Sequence, residues 1–144
     1  MNKLKALNKL IGNTPLIKIK YKISDKIKTS YFKLEWYNLT GSIKDRVAYN
    51  IIYDAYKKKL LNPNQPIVET TSGNMGLSFC AVGAYLKHKV VIFMPKFLSI
   101  ERQELLKLYG AELHLTNSFE EARLQLCMVQ LQGEDALQHE FPRF

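Results

Sequence analysis

The chain has 144 residues, 47% hydrophobic and 24% charged, with a net charge of +8, a balance that excludes a disordered chain and fits one soluble domain able to bury a core without metals or disulfides. Cys80 and Cys127 lie far apart in apolar contexts, so neither a disulfide framework nor a zinc site is expected and a cytoplasmic location is. No uncharged apolar run reaches the ~18 residues of a membrane span, and lysines interrupt the N-terminal apolar positions where a signal peptide would be continuous.

The charge is concentrated early: residues 1–59 hold 14 basic and 4 acidic side chains, +10 in all, and the remainder carries −2. Lysines there alternate with apolar residues, as Lys18, Lys20 and Lys22 do with Ile17, Ile19 and Tyr21, which is the pattern of strands with one wet face. Nucleic-acid binding is therefore not expected, since no recognition signature accompanies the basicity.

In chain order, residues 15–35 read as a β-hairpin turning at Ser24, Asp25 and Lys26. Ser42 followed by Asp45 has the spacing of a capping box, and Ile43, Val47, Ile51 and Ala55 recur every four residues, predicting a helix of about four turns with the Lys57–Lys59 run at its end. Asn62, Pro63, Asn64 and Pro66 break it. Ile67–Thr70 is a short strand that enters Thr71-Ser72-Gly73-Asn74, and a helix follows through about Leu86. Val90–Met94, apolar throughout and ended by Pro95, predicts a strand covered on both faces. Ser99 caps a third helix ending at Gly110, Leu113–Leu115 is another strand, and Ser118 with Glu121 opens a last helix running through Met128 toward Gly133. The alternating order predicts an α/β fold: a three-layer sandwich on a mainly parallel sheet, preceded by the hairpin. Residues 1–122 are expected to form this domain. Residues 123–144, glutamine-rich and without lysine or isoleucine, read as a divergent tail.

In open parallel sheets ligands gather outside the carboxyl ends of the strands, which directs attention to two loops. The first, Asn38 to Arg46, delivers Lys44 into the first turn of a helix, where a nucleophilic amine suited to Schiff-base chemistry is easier to obtain; a merely solvated lysine explains the same position. The second, Glu69 to Gly76, offers hydroxyls and backbone donors at a strand-to-helix junction, a natural anion site, although a plain helix cap would also use them. It contains no dinucleotide or P-loop motif. His88, His114 and His139 stand isolated, without metal or triad spacing, and Cys80 reads as core.

Together, Ile11-Gly12-Asn13-Thr14-Pro15-Leu16, Lys33-Leu34-Glu35, Gly41-Ser42-Ile43-Lys44-Asp45-Arg46, Thr71-Ser72-Gly73-Asn74, Met94-Pro95 and the run from Ser99 to Ala111 resemble the start of a cysteine synthase, a fold type II pyridoxal-phosphate enzyme related to the tryptophan synthase β subunit. The resemblance covers roughly residues 4–122. It implies that Lys44 carries pyridoxal 5′-phosphate and later removes the substrate α-proton, that Asn74 hydrogen-bonds the cofactor's ring oxygen, and that Thr71, Ser72, Gly73 and Met75 hold the carboxylate of a small-molecule amino-acid substrate. The implied reaction is β-replacement on an activated serine, as in O-acetylserine plus sulfide giving cysteine. Leu39 departs from the family's usual proline. Met75 departs from the usual threonine, which admits a 2,3-diaminopropionate-forming or cystathionine β-synthase-like enzyme as an alternative. Family members are longer, and their second half supplies the phosphate loop and covers the hairpin. The sequence therefore also carries the expectation of a truncated chain, weakly active or inactive alone, completed by a homodimer or a complementing chain. A non-catalytic interaction module is the further alternative, pairing through its exposed strand edge.

Overall fold

The computed structural model describes residues 2–131 and 137–138. Helix α1 (Asn2–Leu7) precedes an antiparallel hairpin of β1 (Leu16–Ile23) and β2 (Lys26–Lys33), and a 3-10 turn at Glu35–Tyr37 leads into α2 (Lys44–Lys57). Then β3 (Ile67–Thr70), α3 (Asn74–Leu86), β4 (Val90–Pro95), α4 (Ile100–Leu108), β5 (Glu112–Thr116), α5 (Phe119–Leu131) and β6 (Leu137–Gln138) alternate. The last four strands form one parallel sheet in the order β5-β4-β3-β6.

The hairpin turns through Ser24 (φ 42°) and Asp25 (φ 63°), the two left-handed residues that a two-residue loop needs to match strand twist. All of β1 is exposed, and all of β2 except the half-buried Ser30. The parallel sheet is the reverse. On one face Ile67, Val90, Ile92 and Met94 join Phe79, Val82, Leu106, Ile52 and the α1 residues Leu4 and Leu7 in the main core. On the other, Val68 and Phe93 pack on Ala122, with Leu126 and Val129 of α5 against them. Helices therefore cover both faces, and the three-layer α/β/α arrangement expected from the alternation is present. None of the described helices is long and apolar enough to cross a membrane.

Three local expectations change. Helix α2 buries Asp45, Ala48, Tyr49, Ile52 and Ala55; Ile43 and Val47 are exposed and Ile51 half-buried, because an exact four-residue repeat drifts about 40° per step around a helix of 3.6 residues per turn. Ser42 and Asp45 do not form a capping box. The Lys44 N–H donates to Ser42 Oγ at 3.1 Å, but Asp45 turns away from the helix start to accept from Thr40. At the head of α5 half of the box forms: the Glu121 N–H donates to Ser118 Oγ at 3.1 Å, while the Glu121 carboxylate takes the Asn117 N–H instead.

Candidate active site

The strand order places one loop where ligands collect. From β3 the chain moves outward through β4 to β5, then returns past β3 to β6, so the order reverses beside β3 and the carboxyl end of that strand opens on the switch point of the sheet. Thr71 to Gly73 leave β3 there and enter α3 at Asn74. Thr71 is buried, and its hydroxyl accepts the N–H groups of Gly73 and Gly76, both at 3.2 Å. Gly76 is required for that approach, since a Cβ on it would lie 2.5 Å from Thr71 Cγ2 and 3.1 Å from Leu106 Cδ2. Ser72 and Asn74 are exposed, and Met75 is half-buried with its side chain packed on the main core. The N–H groups of Asn74 and Met75 have no protein acceptor among the described residues. Arg102 of α4 crosses this loop, its guanidinium donating to the Ser72 carbonyl at 3.2 Å.

Lys44 is the first residue of α2, and its side chain is exposed. The loop that delivers it is held from two sides. On one, Arg46 grips Glu35 with Nε to Oε2 at 2.8 Å and Nη2 to Oε1 at 2.9 Å, and Nη2 also reaches Thr14 Oγ1 at 3.1 Å. Thr14 Oγ1 donates to the same carboxylate at 2.8 Å, as does Asn38 Nδ2 at 2.9 Å. The Arg46 guanidinium, with these donors, holds the Glu35 carboxyl down to about 2. Gly12, at φ +83°, donates its N–H to Asn38 Oδ1 at 2.8 Å, and a Cβ there would meet Arg46 Nη1 at 2.8 Å. On the other side, Asp45 ties the loop to α3: its carboxylate accepts the Thr40 N–H at 2.7 Å, the Thr40 hydroxyl at 2.6 Å and the Ser78 hydroxyl at 2.6 Å. The start of α2 thus lies against the second turn of α3, and the two loops singled out in the sequence share one region.

Sequence reasoning passed over Thr14, Glu35 and Asn38 as positioning groups. They were visible only as members of short motifs, and the bonds that join them span 3 residues (Asn38 to Glu35), 11 (Glu35 to Arg46) and 21 to 32 (Thr14 to Glu35, Gly12 to Asn38, Thr14 to Arg46), with no regular spacing to mark them. Of the three histidines, His114 pairs with Glu112 Oε1 at 2.9 Å, and His139 lies outside the described residues. His88 is buried, with Nδ1 donating to the Gln65 carbonyl at 2.7 Å and Nε2 facing the Tyr56 hydroxyl, which makes it a satisfied structural side chain. Cys80 is core, its thiol pushed up to about 12 by burial. Burial also pushes the Glu69 carboxyl, near the end of β3 and separated from Thr71 by one residue, up to about 8.

Residues 7–137 match the family described as pyridoxal-phosphate dependent enzyme. The chain is 43% identical over 110 residues to the cysteine synthase of Staphylococcus aureus (strain Mu50 / ATCC 700699), a match covering 76% of this chain and 36% of that protein. Among solved structures it superposes with a TM-score of 0.90 on a hydrogen sulfide-producing enzyme from Fusobacterium nucleatum, at 36% identity, over 95% of this chain and 42% of that one. On the cysteine synthase from Entamoeba histolytica the TM-score is 0.80 at 34% identity, over 92% and 41%. The chain spans about a third of the length of the curated relatives it matches.

Proposed function

Because this chain belongs to the pyridoxal-phosphate dependent enzyme family, we propose that it serves a β-replacement on an activated serine, of the cysteine synthase type, with Lys44 as the cofactor lysine. The observation that carries this reading is the juxtaposition of an exposed primary amine at the head of α2 with the donor-rich loop at the switch point. The donor set fits the cofactor: an amine for its aldehyde, the exposed Asn74 amide for its ring oxygen, and backbone N–H groups of Asn74 and Met75 for an anion. When bound, the cofactor supplies an electron sink for carbanionic charge at the substrate α-carbon.

In this reading the protein's own groups orient and move protons. Lys44 would hold the cofactor through its amine and, once the substrate amine had displaced it, the freed Lys44 amine would take the α-proton, a task its place on the first turn of α2 suits because the chain around it is fixed from both sides. Ser72, Gly73 and the following N–H groups hold the substrate carboxylate at the head of α3. Thr71 contributes through the loop shape, since its hydroxyl is committed to Gly73 and Gly76. Met75 presents no hydroxyl to that carboxylate, and its packing on the core makes it a support for the turn. Residues 1–122 are read as the family-like unit that carries these groups and residues 123–144 as divergent in sequence, even though Leu126 and Val129 of α5 pack on the sheet and Leu137–Gln138 pair with β3.

The test is chemical. The purified chain is mixed with pyridoxal phosphate, reduced with borohydride and mapped by mass spectrometry. The expected result is phosphopyridoxyl label concentrated on Lys44 and lost from that peptide in Lys44→Ala. Label spread evenly over the many exposed lysines would sink the reading.

A further inference from the structure

We propose that Asp45 is a positioning residue which, through Thr40 and Ser78, couples the Lys44-bearing start of α2 to the Asn74-bearing start of α3, so that the two loops order as one unit. The proposal rests on the reading of Lys44 and Asn74 given above.

Asp45 is fully buried at 0% exposure, as is Ser78. No lysine, arginine or histidine pairs with its carboxylate among the described residues. A buried carboxylate without a cation is costly, and an apolar side chain of similar volume often serves stability as well or better. What this one provides is geometry. Oδ2 takes the Thr40 N–H, and Oδ1 takes the hydroxyls of Thr40 and of Ser78, which is 33 residues further along the chain. All three lie at 2.6–2.7 Å, the short end of the hydrogen-bond range. The Ser78 oxygen is also 2.9 Å from the Asn74 carbonyl, so the same hydroxyl touches the residue that opens α3. Asp45 follows Lys44 directly, and fixing its side chain fixes the first turn from which the amine projects. A shift of either loop must therefore stretch a bond to a shared buried carboxyl group.

Thr40→Val and Ser78→Ala each remove one hydroxyl while leaving the carboxylate with two donors, which makes them safer probes than Asp45→Ala. Amide hydrogen exchange of the whole chain is read in each. Ser78→Ala, on α3, is expected to speed exchange of the Thr40 and Lys44 amides about tenfold; Thr40→Val is expected to do the same at Gly73 and Gly76. Thr40→Ser, which keeps the hydroxyl, restores the wild-type rates. In the borohydride experiment the share of label on Lys44 falls in Thr40→Val and returns in Thr40→Ser. Exchange changes confined to the element carrying the substitution, with the opposite loop unmoved, would overturn the coupling. Scattered label on the wild-type chain would instead overturn the cofactor reading, and the exchange arm would still decide whether the loops are coupled.

Discussion

The hairpin and the parallel sheet are built from similar β-forming residues and end in opposite environments. In β4, Val90, Ile92, Phe93, Met94 and Pro95 are buried and only Val91 is half-exposed, whereas every residue of β1 is exposed. The difference lies in the spacing of lysine and in what packs on the remaining face. A lysine at every second position of β1 keeps one face in water as the alternation predicts, but the other face, Ile17, Ile19, Tyr21 and Ile23, is exposed as well because no described helix packs on it, so the hairpin rests on its own ladder and on a left-handed turn. A two-stranded ribbon of that kind is marginal by itself. Continuous apolar residues let helices close over both faces of β4, and the site sits on that firm layer.

Four substitutions or conditions probe this contrast, beyond the labelling of Lys44. The largest effect is expected for Ile92→Ala, which empties a fully buried position between the layers; urea unfolding should show a loss of about 2–5 kcal/mol. Gly76→Ala comes next at about 1–3 kcal/mol, because the new methyl group must displace Thr71 or Leu106. Thermal melts would register it, and an unchanged melting temperature would mean the loop from Thr71 is looser than its contacts imply.

The third is acid. Glu35 is held down to about 2 against an ordinary value of 4.5, so the stability it contributes is fully present above pH 4.5 and is lost as pH falls through 4.5 toward 2. Glu35→Gln should be less stable than wild type at pH 7 and should show a smaller further loss in that window, measured by unfolding at a series of pH values. The smallest effect is expected at Ile19→Thr in the hairpin. That side chain is 40% exposed, and the change should stay within about 0.5 kcal/mol. A larger loss would show that the hairpin leans on a partner surface that the contrast leaves out.

How much was legible follows the same division. Element types came through wherever the signal was local: the Lys/apolar alternation of β1, the apolar run of β4 before Pro95, Gly110 in its left-handed place at φ +84°. The loop from Thr71 was found from its residue types and its place after a strand. The buried face of α2 was misread because the alanine and tyrosine that fill it, Ala48 and Tyr49, are weaker hydropathy signals than the exposed Ile43 and Val47. Asp45 was read as a helix cap, its commonest role at that spacing, whereas the serine it holds comes from a different helix. Nothing in a single sequence pairs position 45 with 78, or Glu35 with Arg46, since such pairs arise only when α2 and α3 pack and the first loops fold back.

Of the chain's two thiols, Cys80 is sealed among core side chains and Cys127 is exposed on α5, the helix that covers the opposite face of the sheet from α3. Thiol chemistry therefore has a single address on the folded protein. A maleimide dye or spin label added in native buffer would mark one position, on the layer remote from Lys44, and no cysteine would first have to be engineered away.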